Sequence, residues 1–345
     1  MGSHFIRHLY TKYPDYSITN LDALTYAGNP ENLQDIVDTD TGSKNPRYTF
    51  IKGNICDRER VREVLTETKY DAVLNFAAES HVDRSIIDAM EFVQTNIQGA
   101  YALLEEARQQ HIPRFVYIST DEVYGDIPRG KRSGEDYSIQ PTNPYAASKA
   151  SADLIMQSFM KTHKTPLSIV RSTNNYGSHQ YPEKLHPLII TNLLEGRPIP
   201  VHGRGDHIRS WLHVSDFCEG VDLVLHKGKV QEIYNVGGEE RTNLEVIEAI
   251  AGILKKDPSD YIKYISDRPA PDFRYSVDDS KIQSQLGWKR KQKYEKALVE
   301  LVTWYRDNEE WWQNVRSKTD FVDQYSVQSV GYQSYVKPGG GSKRI

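Results

Sequence analysis

Residues 114–119, Arg-Phe-Val-Tyr-Ile-Ser, run directly into Thr120-Asp121-Glu122-Val123-Tyr124-Gly125. The first six form a short, mostly apolar run rich in aromatic and β-branched residues. That reads as a strand of a parallel sheet, buried on both faces. In open α/β sheets, ligands bind at the carboxyl ends of the strands. A hydroxyl and two neighbouring carboxylates at such an end are chemically unusual. Adjacent carboxylates repel, so one of them can keep a proton near neutral pH. The pair then offers an acid and a base side by side.

The segments around this strand follow the same plan. Residues 16–21, 47–52, 70–76 and 167–172 read as further strands. Asp57 is placed to cap a charged helix at 58–68. A long helix is expected over 86–110, with Met90, Val93, Ile97, Tyr101 and Leu104 on one stripe. A second is expected over 144–163, whose stripe carries the small residues Ala147, Ala150 and Ser158 beside Leu154. Small residues admit a close neighbour, either within the core or across a dimer face, and the sequence leaves both open. Strands alternating with helices predict an α/β fold, a Rossmann-like doubly wound parallel sheet. Beyond residue 177 the chain is richer in Pro, Gly and Arg, with helices expected at 185–195, 242–256 and 295–313. The expected division is a dinucleotide-binding domain over 1–177, a smaller substrate-binding lobe over 178–315 and an extension over 316–345. Its last part, 331–345, carries Pro338, Gly339, Gly340, Gly341 and Ser342 and is expected to be disordered.

Composition narrows the function. The chain has 345 residues, 43 Lys and Arg against 47 Asp and Glu, and a formal net charge of −4. That balance argues against a protein that coats nucleic acid. Two cysteines, Cys56 and Cys218, exclude a disulfide framework and a Cys-rich zinc site. No apolar run reaches the roughly 18 residues of a membrane span. The first residues lack the apolar core of a secretory signal, so a cytoplasmic location is expected. The histidines have no ligand spacing, and no metal is expected.

Tyr145 and Lys149 stand four apart behind Asn143-Pro144, on one face of the expected helix. A nearby ammonium lowers a phenol's pKa, so such a tyrosine can serve as base toward a hydroxyl. The start of the chain is odd for a dinucleotide fold. It opens with a helix-like segment, Gly2 to Tyr13, without the strand and glycine-rich turn that normally come first. Yet a strand ending at Asp22 follows about 20 residues beyond the place of that turn, where an acidic residue typically binds the adenosine ribose. The sequence is therefore read as beginning late, with Gly2 as the last glycine of the turn. A sheet without its first, central strand is expected to have a gap between unpaired edges.

Several of these segments together resemble the extended short-chain dehydrogenase/reductase family, and within it the dTDP-glucose 4,6-dehydratases. The resemblance is carried by Leu21 to Asn29, Ala77 to Ser85, Ser119 to Gly125, Asn143 to Lys149, Asn174 to Gly177, Pro182 to Leu185 and Arg209 to Leu212. It spans roughly residues 2–315, and Thr120-Asp121-Glu122 is its most specific part. It implies an NAD-dependent hydro-lyase that makes a 4-keto-6-deoxy sugar nucleotide. Tyr145 would take the C4 hydroxyl proton, with Lys149 holding the tyrosinate and the nicotinamide ribose. Thr120 would hydrogen-bond the sugar near C4. Glu122 would take the C5 proton, and protonated Asp121 would serve the departing C6 hydroxyl. A homodimer through the 86–110 and 144–163 helices is also implied.

For the cofactor NAD, the resemblance implies Gly2, Asp22, Leu24, Thr25, Asn54, Ile55, Ala77, Ala78, Thr95 and Asn175, besides Tyr145 and Lys149. For the nucleotide-sugar substrate it implies Ser80, Thr120, Asn174, Lys184, Leu185, Pro200, His202, Arg209, Asn243 and Arg268. This chain departs from the family pattern at several places. Asn54 stands for an aspartate at the adenine. His202 replaces a tyrosine that packs the nucleotide base. Ser210 replaces an aspartate, and Ala270-Pro271 stands where Gly-His is usual. These changes leave thymidine against uridine open. Competing readings are a UDP-glucose 4,6-dehydratase, a nucleotide-sugar epimerase or decarboxylase, and a non-catalytic remnant. The Asp-Glu pair opposes the epimerase and decarboxylase, since neither reaction needs an elimination pair.

Overall fold

The computed structural model describes residues 1–318. The expected extension over 316–345 lies almost wholly, and its disordered tail 331–345 entirely, outside the described residues. Among the described residues eleven strands follow one another: β1 (Ile18–Asp22), β2 (Tyr48–Lys52), β3 (Val73–Asn75), β4 (Phe115–Thr120), β5 (Leu167–Ser172), β6 (Asn174–Tyr176), β7 (Ile199–His202), β8 (Ile208–His213), β9 (Ile233–Val236), β10 (Glu239–Thr242) and β11 (Ile262–Ile265).

The main sheet has the order β3-β4-β5-β9, all parallel. Every residue of β4 and β5 is buried, as a sheet covered on both faces requires. One cover is the helix pair Gly2–Lys12 and Val214–Lys227, where Phe5, Leu9 and Phe217 pack on Val116, Ile118 and Val170. The other is Ala100–Gln109 and Pro144–Thr162, where Leu104, Ala152 and Met156 pack on Tyr117 and Ile169. A separate core holds the second lobe together: Ile189 and Leu193, Ile247 and Ile250, Leu298, Tyr305 and Trp312. The small sheets β10-β8-β6 and β11-β7 sit with that lobe.

The main sheet is not contiguous in sequence. The helix Val214–Lys227 and strand β9 return to it after the second lobe has begun, so the expected boundary at 177 does not separate the two layers. The helix expected over 86–110 is broken into Val82–Ile87, Met90–Phe92, a wide π-turn Val93–Gly99 and Ala100–Gln109. Asp88 accepts the amide of Met90 at the break. The expected apolar stripe is therefore split. Leu104 is buried, while Met90, Val93 and Tyr101 face outward. The helix expected over 295–313 is two, Tyr294–Asp307 and Glu309–Arg316.

Among the described residues, strands β1 and β2 pair only with each other. No ladder bond joins β1 to β3, and both strands are only half buried where β4 and β5 are fully buried. A cavity of roughly 1740 Å³ is lined on one side by residues 15–22 and on another by residues 72–76. That volume exceeds the ~1,000 Å³ upper range of ordinary small-molecule sites. The expected gap between unpaired edges is present.

Candidate active site

The carboxyl end of β4 turns at once into a single 3₁₀ turn, Asp121–Tyr124, capped by Thr120, whose hydroxyl accepts from Glu122 N at 3.3 Å. The turn is closed by Gly125 at φ 71°, where an added Cβ would lie 2.2 Å from the Gln140 carbonyl. Opposite stands the helix Pro144–Thr162. It is started by Asn143, whose side chain accepts from Ala146 N at 2.9 Å. Its first turns put Tyr145 and Lys149 on the face toward β4.

Thr120, Asp121, Glu122, Tyr145 and Lys149 are all buried. Burial and the neighbouring Glu122 carboxyl push Asp121 well above the usual carboxylate range. Burial also raises Glu122, against the pull of Arg209. One of the two carboxyls therefore keeps a proton at neutral pH. Lys149 donates to the Ile118 carbonyl at 2.6 Å and lies 4.3 Å above the Tyr117 ring. Burial brings it down to about 7, with Asp153 acting in the opposite direction. Tyr145 is raised by burial and by Glu122, and is a neutral phenol in this arrangement. The lowering of its pKa expected from a lysine four residues on is not seen here, because that ammonium is itself desolvated and turned to a backbone carbonyl.

The large cavity is lined by Thr120, Glu122, Tyr145 and Lys149 and by every residue expected at the cofactor and the substrate. Asp121 is the exception. Its carboxyl lies just behind the wall, where Oδ1 accepts from Thr120 at 3.3 Å and Oδ2 has no hydrogen-bond partner among the described residues. At one end, exposed Asp22 closes β1 and accepts from Leu24 N at 2.8 Å. Leu24 is held at φ 50°, a left-handed conformation that costs a branched side chain ~1 kcal/mol or more. Gly2 opens the first helix, but an added Cβ there meets only Phe76, at 3.6 Å. No close approach within the protein demands glycine at that position. Deeper in, buried polar atoms of residues that line the cavity have no partner among the described residues: Asn75 Nδ2, Ser119 Oγ, Asn174 Oδ1 and Asn175 Oδ1. That donor and acceptor set suits a polar dinucleotide and a sugar. The cavity leaves room for a dinucleotide such as NAD between Asp22 at one end and Tyr145, Lys149 and Asn175 at the other.

The three expected cations line the second-lobe side, each already engaged. Arg268 makes a two-point contact with buried Asp83, at 2.8 and 2.7 Å. Lys184 donates to the Ser80 carbonyl at 2.8 Å. Arg209 donates to the carbonyls of Ile208, Asp272 and Phe273 and stacks 4.4 Å over the Tyr275 ring. Ala270, in the place where the family pattern has glycine, takes φ 48°. Residue types alone did not single out Asp272 and Tyr275, which face Glu122, or the buried group of Tyr26, His81, Asp83 and Glu183. Burial lifts Glu183 to about 7.

Comparison with known proteins agrees with this geometry. The GDP-mannose 4,6 dehydratase family model matches residues 1–301. A dTDP-glucose 4,6-dehydratase of Streptomyces niveus is 45% identical over 324 residues, covering 92% of this chain and 93% of the relative. One from Neisseria meningitidis is 43% identical over 336 residues, covering 91% and 93%. Among solved structures, a dTDP-glucose 4,6-dehydratase of Streptomyces venezuelae with NAD and dTDP bound superposes with a TM-score of 0.86. It is 42% identical, and the match covers 91% of this chain and 96% of that one. A UDP-glucose 4-epimerase of Thermus thermophilus in complex with NAD reaches 0.80 at 27% identity, covering 89% and 96%.

Proposed function

The chain belongs to the family of nucleotide-sugar 4,6-dehydratases matched by the GDP-mannose 4,6 dehydratase model, and from that premise we propose that it converts dTDP-glucose to dTDP-4-keto-6-deoxy-glucose with NAD as cofactor. One observation carries the reading: a buried Thr-Asp-Glu turn at the end of β4, facing Tyr145 and Lys149. Epimerisation requires a proton acceptor at O4 alone. A carboxyl pair beside it is the equipment of an elimination.

NAD, when bound, supplies a hydride acceptor for C4 and later a hydride donor for C6. The other steps fall to this chain's side chains. Tyr145, with Thr120 beside it, takes the proton of the C4 hydroxyl once it has ionised to the phenolate, a form that a charged Lys149 and the positive charge of bound NAD would favour. Lys149, brought down to about 7, is poised to change charge within the working pH range. A C4 ketone acidifies C5, and Glu122 removes that proton. The carboxyl proton kept by the Asp121–Glu122 pair is the one available to the departing C6 hydroxyl. Burial of the whole group keeps bulk water from the eliminated alkene.

The test is turnover. Incubated with dTDP-glucose and NAD, the protein should form a product with the alkaline absorbance of a 4-keto-6-deoxy sugar, and UDP-glucose alongside should give a slower reaction. A folded, NAD-loaded protein that leaves both substrates unchanged would sink the proposal.

The helices expected at a dimer face support a homodimer. Met90, Val93, Tyr101 and Leu154 are four of the ten large apolar side chains left exposed among the described residues. Leu154→Arg should convert a dimer to a monomer in sedimentation at micromolar concentration; a wild-type monomer under the same conditions would dispose of the dimer. No helix among the described residues is long and apolar enough to cross a membrane. A cytoplasmic location suits a nucleotide-sugar substrate.

A further inference from the structure

The Glu122 carboxyl is buried, and none of the steps above disposes of the C5 proton it takes up. Its Oε2 lies 3.4 Å from the Tyr275 hydroxyl. That hydroxyl donates to Asp272 Oδ2 at 2.6 Å, so it cannot donate to Glu122 at the same time. The remaining role of the Glu122–Tyr275 contact is for a protonated Glu122 to donate to the tyrosine oxygen. Asp272 Oδ2 also accepts from the Thr142 hydroxyl at 2.5 Å. Tyr275 and Asp272 are buried, whereas Thr142 is exposed. Glu122, Thr142 and the neighbouring pair Asp272 and Tyr275 lie on three separate segments, yet together they form one continuous line of oxygens from the base to the protein surface. The Arg209 guanidinium covers the Tyr275 ring at 4.4 Å and donates to the Asp272 backbone carbonyl, which holds both relay members in place.

We propose that Tyr275 and Asp272 are a proton relay that connects Glu122 to solvent at Thr142. The inference rests on the dehydratase reading above. In the step, the C–H bond at C5 breaks and Glu122 Oε2 takes the proton. Glu122 then passes a proton to the Tyr275 oxygen as Tyr275 passes its own to Asp272, and Asp272 exchanges with water near Thr142. No electrons move between residues, and the reverse transfer returns a solvent hydron to C5. Without the relay, Glu122 gives the original hydrogen back.

The test is turnover of dTDP-glucose in D2O, with deuterium at C5 of the product read by mass spectrometry or NMR. Tyr275→Phe removes the hydroxyl and keeps the ring under Arg209. Asp272→Asn still accepts from Tyr275 but takes up no proton. Wild-type product should carry deuterium at C5, and both variants should cut its incorporation to less than about a third. Their kcat should fall about tenfold with KM within about threefold, the pattern of a lost proton transfer and not of lost binding. Full incorporation in both folded variants overturns the relay. So does a loss of kcat with incorporation unchanged, which is what a purely structural role predicts. Absence of turnover by wild type itself speaks against the dehydratase reading, a separate failure.

Discussion

Asp121→Asn is expected to make the protein more stable at neutral pH while lowering kcat by about two to four orders of magnitude. Both effects have one cause. Burial and Glu122 hold the Asp121 pKa well above its ordinary value, and its Oδ2 has no partner among the described residues. At pH 7 the folded protein keeps that carboxyl protonated, whereas the unfolded chain ionises it near 3.9. Keeping the proton costs at most about 4 kcal/mol at pH 7, from ~1.4 kcal/mol for each pH step above 3.9. Asparagine has nearly the same shape and bears no such cost. The sign follows from a folded pKa above the unfolded one. The unfavourable contribution is absent below pH ~4 and grows as pH rises toward the folded pKa. The Tm advantage of Asp121→Asn over wild type should therefore be largest near pH 7.5 and shrink toward pH 5. The activity loss arises because an amide has no proton to give the C6 hydroxyl. Thermal unfolding at the two pH values, beside turnover, checks both halves. A variant less stable than wild type at pH 7.5 would show that Asp121 is ionised and held by contacts.

The parts legible in the sequence were those with local signals. Asp57 caps its helix through the Arg60 amide, a contact settled within four residues. Strand β4 and the turn after it were legible because a doubly buried parallel strand needs an unbroken apolar run. Strand β9 has four residues and belongs to a sheet begun 160 residues earlier, so nothing local marks it as the partner of β5. The break at Asp88 and the π-turn after it keep enough helical periodicity to read as one helix. At the site, the reacting groups lie in two short segments and were found. The relay and the cation pairings were not, because they join segments far apart. Arg268 meets Asp83 across 185 positions, and Tyr275 meets Glu122 across 153. A sequence shows that a charge is there; it does not show which opposite charge has already engaged it.

The second large effect concerns the space between β1 and β3. Parallel sheets are buried structures, and an edge within one leaves backbone N–H and C=O groups without partners. β1 and β3 each present such an edge to the same cavity, and their side chains are half exposed where those of β4 and β5 are buried. The slot suits an extended segment of about five or six apolar residues, running parallel to both neighbours. Each Val or Ile buried there contributes about 1.5–3 kcal/mol, against about 1.5 kcal/mol per residue for ordering the added chain. Fusing a Val/Ile-rich strand and a short glycine-rich turn ahead of Met1 is therefore expected to raise Tm by at least about 5 °C. It should also raise NAD affinity tenfold or more, because the strand fixes Asp22 relative to the first helix and narrows a cavity larger than the ligands need. The control carries Pro at alternate positions of the same segment. It keeps the added length and loses the ladder donors. Calorimetric titration with NAD and thermal unfolding of the two fusions decide the matter. If the proline version gains as much as the strand, the slot does not accept a strand, and the two halves of the sheet are stable as they stand.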